Sequence, residues 1–320
     1  MRARPSENAM IRADSRQPMP DALRGGIIAL GNFDGFHLGH QHVVGEALAW
    51  AREQGRPAIV ATFDPHPVAL FAPDAPPFRL TTLDQRAELF AAAGADAMLV
   101  LHFDRAMAAT PAEEWVRAIL GARFGAAGVV TGEDFTFGKG RAGNVALLRA
   151  LGAPLGIAAR AVGPISDAGG VISSSRIRAA LKAGDPAEAA RLLTRPFAMR
   201  GPVLHGDKLG RTIGFPTANL ALGDYLRPAY GVYAVTARLP DGRVVQGAAN
   251  LGVRPQFDPP KELLEPHFFD FAEDLYGQEI EVALRHFLRP EAKFAGLDEL
   301  TAQISKDCAE ARSLLGRESA

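Results

Sequence analysis

Short apolar runs recur along the first half of the chain, at 27–30, 58–63, 97–101, 128–131 and 155–162. Alanine-rich segments of helical period, such as 41–52, 85–93 and 112–124, separate them. Runs this short are the length of strands buried on both faces. Their alternation with helices predicts a mostly parallel sheet covered by helices. After Pro196 the pattern changes. The segments 201–205, 231–238, 244–251, 267–271 and 280–287 are strand-like, with Gly, Pro and Asp between them and no helical stretch. Asp241-Gly242 marks a hairpin turn. This half predicts a small antiparallel barrel, closed by an amphipathic helix over 297–315. The chain then divides into a polar, flexible N-terminal arm over 1–22, an α/β domain over 23–190 and a barrel domain over 191–320.

Composition adds mainly exclusions. With 320 residues, 48% hydrophobic and 22% charged, the chain can bury two cores. A formal charge of −1 supplies no basic field to recruit nucleic acid. No apolar run reaches the roughly 20 residues that span a bilayer. The first 22 residues lack the apolar centre of a signal peptide, so the cytoplasm is the expected compartment. The single cysteine, Cys308, excludes an internal disulfide and a cysteine-cluster zinc site, and its amphipathic surroundings read as those of a structural thiol.

The chemistry begins at Gly31-Asn32-Phe33-Asp34-Gly35-Phe36-His37-Leu38-Gly39-His40, where a predicted strand gives way to a helix. Two imidazoles beside the unpaired N–H groups of a helix start make a phosphate site, most simply for a nucleotide. Histidines at this spacing also suit a metal pair, although no third ligand stands nearby. Gly132–Lys139 is not a P-loop, because five residues separate its outer glycines and Gly140 stands where Ser or Thr is needed; nor do the glycines at 31 and 35 make a dinucleotide fingerprint. Three more elements fall at later strand ends. They are Phe63-Asp64-Pro65-His66-Pro67, the glycine-rich 132–144 with Asp134, Lys139, Arg141 and Asn144, and Ser173-Ser174-Ser175-Arg176-Ile177-Arg178. Hydroxyls at a helix start also serve as caps.

In the second half, Gly206-Asp207-Lys208-Leu209-Gly210-Arg211-Thr212-Ile213-Gly214-Phe215-Pro216-Thr217-Ala218-Asn219 combines tight turns with two polar residues at period two. Thr217 and Asn219 point to one side of an extended segment, and neutral oxygens suit a magnesium ion already bound to phosphate. A Gly-rich hairpin with polar turn residues accounts for the same pattern. Glu265 in Glu265-Pro266-His267-Phe268-Phe269-Asp270-Phe271 is, by itself, an ordinary solvated carboxylate.

Taken together, these motifs resemble the bacterial bifunctional riboflavin kinase/FAD synthetases over about residues 25–315. His37-Leu38-Gly39-His40 is similar to the H-x-G-H signature of their adenylyltransferase module, with Ser173–Arg178 as its serine-rich helix start. The Pro-Thr-Ala-Asn run matches the kinase motif. The resemblance implies a Rossmann-like nucleotidyltransferase domain followed by an antiparallel β-barrel kinase domain with a C-terminal helix. It implies phosphorylation of riboflavin to FMN and adenylylation of FMN to FAD, with ATP as co-substrate and Mg2+ as cofactor. The catalytic residues would be His37, His40, Ser174, Arg178 and Glu265, the last as base. ATP and phosphate would meet Gly31, Phe33, Asp34, Gly35, Asn144, Ser173, Ser175, Gly210 and Gly214. The flavin would meet Phe63, Pro65, His66, Asp134, Phe135, Phe137, Arg289 and Phe294, and the metal Thr217 and Asn219. Pro266 stands where the family often has a β-branched residue, and Gln256 replaces a common threonine. A chain with one active module, and a flavin-binding regulator without turnover, are the alternatives. Partners beyond riboflavin, FMN, FAD and ATP are not expected, a weak homo-oligomer aside.

Overall fold

The structure is a computed structural model describing residues 10–205, 214–254 and 261–318. It forms two compact units. The first takes residues up to Ala75 together with Thr82–Ile172, and the second takes Pro76–Thr81 together with the chain from Ser173 on. The boundary expected near 190 therefore falls later than the division made by packing.

In the first unit the elements run β1 (Ile11–Asp14), β2 (Ile27–Leu30), α1 (Leu38–Gln54), β3 (Ala58–Asp64), α2 (Pro67–Phe71), α3 (Leu83–Ala93), β4 (Ala97–His102) and α4 (Arg105–Ala109). They continue with α5 (Ala112–Glu114), a π-helical stretch (Trp115–Arg123), β5 (Gly128–Gly132), α6 (Val145–Gly152) and β6 (Ala158–Val162), then the small hairpin β7 (Ser166–Asp167) and β8 (Gly170–Val171). The expected Rossmann-like sheet is present, six strands in the order β1-β4-β3-β2-β5-β6 with every pairing parallel. Successive side chains of a strand point to opposite faces. Ile28 and Leu30 thus enter one core with Trp115, Val116 and Leu148, while Ile27 and Ala29 enter the other with Val43, Ala47 and Phe90. A Cβ at Gly128 would overlap the Trp50 ring, so β5 needs glycine for the second core to close.

Three expectations change here. From Met10 onward the N-terminal arm is structured: β1 pairs along β4 at the sheet edge, and Ala13 and Met19 are buried. The strand expected over 155–162 begins only at Ala158, because Ala153–Leu155 forms a 3-10 turn ended by Gly156 at φ 73°. Helix α1 starts three residues before Gln41, since His37 caps it.

The second unit opens with α7 (Ser174–Lys182) and α8 (Pro186–Leu193). The strands β9 (Phe197–Pro202), β10 (Leu220–Ala221), β11 (Gly231–Arg238), β12 (Val244–Arg254), β13 (Lys261–Phe268) and β14 (Glu279–Pro290) follow, and α9 (Leu297–Glu318) ends it. The strands form one antiparallel sheet in the order β10-β13-β12-β11-β14-β9. A bridge between Leu204 and Asn219, with the Leu204 amide 2.8 Å from the Asn219 carbonyl, joins its two ends and nearly closes the barrel. The strand expected over 201–205 lies earlier, at β9. The one expected over 267–271 lies at β13 and stops before Asp270, which turns the chain at φ 54°. Helices α7 and α8 join this unit through packing, with the Ala229 amide donating to the Leu181 carbonyl.

Helix α9 covers the barrel by seating Cys308, Ala311 and Leu315 on Ala234, Ala248 and Phe269. Arg312 fixes its far end, lying 4.2 Å over the Phe269 ring and 2.7 Å from an Asp270 carboxylate oxygen. Burial pushes the Cys308 thiol up to about 11. At pH 8 such a thiol is about one part in 10³ thiolate, and the thiolate is the nucleophile. Native protein titrated with a chromogenic disulfide at pH 8 should therefore leave Cys308 unmodified over a period in which urea-unfolded protein reacts completely. Equal rates in the two states would contradict the packing of α9.

Candidate active sites

The first site forms where β2 ends. Phe33 and Phe36 both adopt left-handed backbone, φ 49° and 44°, which bulky residues rarely do. Each such residue costs on the order of 1–3 kcal/mol and persists only where its surroundings over-determine it. Both rings are buried and meet Phe90 edge-on, at centroid distances of 6.0 and 5.1 Å. Gly31 accommodates this turn: a Cβ there would sit 3.0 Å from the Phe33 ring. The turn delivers His37 to the start of the 17-residue helix α1, where it is the N-cap.

The His37 Nδ1 accepts from the amides of Gly39 (3.2 Å) and His40 (3.4 Å). Nδ1 therefore carries no proton, and the neutral ring presents Nε2–H. The His40 ring stacks on that of His37, 3.6 Å between centroids and 22° from parallel, and stands edge-on to Phe33 at 5.3 Å. Gly39 leaves room, since a Cβ there would lie 3.2–3.3 Å from the His37 ring and the Ile172 carbonyl. Asp34 is buried, and Gly35 turns at φ 87°. The result is a paired imidazole donor set on a positive helix end at the carboxyl edge of a parallel sheet, where such folds bind ligands.

The predicted flavin residues of this unit do not form one exposed surface. Phe63 and Phe137 belong to the core, Phe137 packing against Trp115 at 5.0 Å. Phe135 is partly exposed and stacks on Phe137, 19° from parallel. His66 caps α2 by accepting from the Val68 amide, and the Asp64–Pro65 bond before it is cis. Asp134 lies under Gly132, where a Cβ would meet its carboxylate at 2.9 Å. The Asn144 side chain, expected to meet ATP, is the N-cap of α6 and accepts from the Leu147 amide at 2.9 Å. Sequence reasoning missed two aromatics, Phe71, 70% exposed, and Phe103, which meets both Phe71 and Phe63 edge-on. Their alignment shows only in the structure, and neither residue lies in a motif that the sequence could have marked.

Sequence reasoning also missed Arg86. It is 3% exposed on α3, and its Nη1 donates to the Thr62 hydroxyl (2.6 Å) and the Asn32 carbonyl (3.2 Å). It thus ties the ends of β2 and β3 directly beneath the strained turn.

In the second unit Ser173 is the N-cap of α7, accepting from the Arg176 amide at 3.3 Å. Ser174 and Ser175 open that helix, and Arg178 donates to the Phe78 carbonyl at 2.8 Å with its guanidinium over the Phe78 ring.

The barrel carries the other site. Register pairs Leu220 with Leu264 and Ala221 with Leu263. Continued by three residues, it sets Asn219 across from Glu265 and Thr217 across from His267, and the Ala218 amide does bond to the Pro266 carbonyl at 2.9 Å. Pro266 thus supplies its acceptor, while the return bond of that pair, to the Ala218 carbonyl, is one that proline cannot make. On the other side β12 sets Asn250 across from Glu265. Opposed residues share a face, so Thr217, Asn219, Glu265, His267 and Asn250 lie together. Leu264, Pro266 and Phe268, at the intervening positions, are buried.

Glu265, 17% exposed, is hydrogen-bonded to Arg254, whose Nη1 is also 3.6 Å from Glu291. Burial lowers the Arg254 guanidinium from its ordinary value, against the raising effect of Glu291. A Cβ at Gly252 would collide with the Glu291 carboxylate, which explains the glycine between Asn250 and Arg254. Gly214 turns at φ 86°, and Gly210 lies outside the described residues. Arg289 is held by Asp307 at 2.7 Å and lies 5.6 Å over Phe294, leaving that pair as a braced aromatic edge.

No cluster of three or more His, Cys, Asp or Glu among the described residues could hold a metal ion. Two neutral oxygens beside one carboxylate suit instead a hard cation that arrives with phosphate and water.

Comparison with known proteins assigns the class of each half. A family model for FAD synthetase matches residues 19–176, and one for riboflavin kinase matches residues 193–315. The chain is 40% identical over 292 residues to the bifunctional riboflavin kinase/FMN adenylyltransferase of Escherichia coli (strain K12), covering 91% of this chain and 93% of that protein. It is 39% identical over 295 residues to the protein of the same name from Bacillus subtilis (strain 168), covering 89% and 91%. A solved structure described as a macrolide-efflux protein from Streptococcus pneumoniae superposes with a TM-score of 0.82 at 31% identity, covering 94% of this chain and 97% of that one. Among the described residues no helix is long and apolar enough to cross a membrane. The chain belongs to the bifunctional riboflavin kinase/FMN adenylyltransferase family.

Arg86→Leu tests how the first site is supported. It removes the donor to the Thr62 hydroxyl and one of two donors to the Asn32 carbonyl, which keeps its 2.6 Å bond from Thr62; losing the buried guanidinium bonds costs about 1–3 kcal/mol. Denaturant unfolding should show that loss. A midpoint equal to the parent's would show that the strained turn needs no such brace.

Proposed function

We propose that this chain makes FAD from riboflavin in two ATP-dependent steps, one in each unit, in the cytoplasm. The observation that carries the reading is that each unit has its own candidate site: in the barrel, Thr217, Asn219 and Glu265 on one face by continued register, and in the α/β unit, stacked His37 and His40 at a helix start.

In the barrel, Glu265 accepts the proton of the flavin 5′-hydroxyl as that oxygen attacks the γ-phosphorus of ATP and ADP departs. Thr217 and Asn219 would hold Mg2+, which offsets charge on the ATP phosphates when bound. Arg254 keeps the Glu265 carboxylate in one orientation before substrate arrives, with Asn250 and Asn219 on either side. In the α/β unit a phosphate oxygen of FMN attacks the α-phosphorus of a second ATP, and pyrophosphate departs. There the Nε2–H of His37, fixed by its two backbone bonds, and the stacked His40 ring stabilise negative charge as it develops. No carboxylate base is required, because an FMN phosphate oxygen is already ionised at neutral pH.

The two sites predict a crossed pattern of losses. His37→Ala or His40→Ala should lower FAD formation from FMN by about 10²-fold or more, the scale of one transition-state donor, and leave riboflavin phosphorylation intact. Glu265→Gln should do the reverse, lowering phosphorylation by about 10²–10⁴-fold, as a lost general base does. Steady-state assays of both reactions on each variant are the check. Loss of both activities in one variant would point to misfolding, and near-parental phosphorylation by Glu265→Gln would sink the base assignment.

A further inference from the structure

The segment carrying Thr217 and Asn219 becomes regular strand only at Leu220, so the sheet ladder does not by itself fix Thr217. One bond to β13 comes from the Ala218 amide, 2.9 Å from the Pro266 carbonyl. The Asn219 carbonyl, bonded to the Leu204 amide at 2.8 Å, is the other restraint on that side, so the N-terminal side of Thr217 needs its own bond to β13. The second is at His267, whose Nδ1 lies 2.9 Å from the Pro216 carbonyl. A carbonyl only accepts, so Nδ1 carries the proton and donates it. The ring is itself set in place, edge-on to Phe215 at 5.3 Å and to Phe269 at 6.2 Å.

We propose that His267 is a positioning residue of the kinase site, holding Pro216 through Nδ1–H so that the Thr217 hydroxyl stays beside Asn219 and Glu265 in the arrangement that takes the metal–nucleotide complex. This rests on the kinase reading given above. Two bonds from consecutive β13 residues, Pro266 and His267, bracket Thr217 at Pro216 and Ala218 and remove the rotation that either alone permits.

The test uses the full chain with two substitutions and two readouts. His267→Phe keeps the aromatic packing and removes the donor, whereas His267→Asn places an amide donor close to the Nδ1 position. The first readout is the Mg2+ dependence of riboflavin phosphorylation. The second is backbone amide exchange, without metal or nucleotide, in a peptide spanning 215–221. His267→Phe should raise the Mg2+ concentration for half-maximal rate about three- to tenfold, the scale of one hydrogen bond, and speed exchange at Ala218. His267→Asn should return both to within about twofold of the parent. Parental values of both in the Phe variant, or failure of Asn to restore them, overturns the inference. Should the Phe variant fail to fold, His267→Gln, whose donor reaches the Nε2 position instead, is compared with Asn: equal behaviour of the two overturns it as well. A parent protein that makes no FMN defeats the kinase reading, and the exchange measurement still decides whether His267 holds the segment.

Discussion

Alternation along a β-strand governs both halves of this molecule. Because successive residues face opposite ways, Ile27–Leu30 feeds two cores at once and leaves the site to form beyond its end. The same rule, applied across the barrel seam, gathers Thr217, Asn219, Glu265, His267 and Asn250 on one face while Leu264, Pro266 and Phe268 fill the other. Asn219 is buried in this register, and a slip of one residue at β10 would move it to the face of Leu264 and put Leu220 on that of Glu265, so the apolar packing enforces the register. Barrel closure at Leu204–Asn219 adds a second restraint, because the same Asn219 backbone that ends the sheet carries a site side chain.

The two sites are kept rigid by different means. Around His37 the backbone is strained, and packing of Phe33 and Phe36 on Phe90 offsets that strain from below while Arg86 ties the strand ends. Around Glu265 the backbone is relaxed, and orientation comes from side chains: Arg254 on the carboxylate, Glu291 behind it over a glycine, and His267 on the neighbouring segment. The first arrangement suits a fixed set of donors aimed at a phosphate. The second suits the base proposed for Glu265, whose carboxylate Arg254 holds in one orientation.

Much of this was legible in the chain. The apolar runs of the α/β half mark four of its six strands closely, because strands buried on both faces leave an unmistakable run. The period-two spacing of Thr217 and Asn219 predicts their common side without reference to any neighbour. What stayed hidden depends on partners distant in sequence. Lys261-Glu262 at the start of β13 reads as a loop, and only pairing with β12 makes it strand and brings Arg254 and Asn250 to Glu265. An isolated arginine on a helix reads as solvated, so nothing in α3 announces that Arg86 is buried. Strand β1 is a short edge segment in a polar stretch, legible only through β4. The aromatics Phe63 and Phe137 read as ligand contacts and prove to be core, whereas exposed Phe71 carries no motif of its own.

The central claim is that one chain carries out two distinct phosphate transfers at two separately built sites. Its most direct test is to incubate the pure protein with riboflavin, Mg2+ and ATP labelled at either the α- or the γ-phosphorus, and to resolve the flavin products. The account predicts γ-label in both FMN and FAD, and α-label in FAD alone. Absence of γ-label from FMN, or FMN accumulating with no α-labelled FAD, would contradict it.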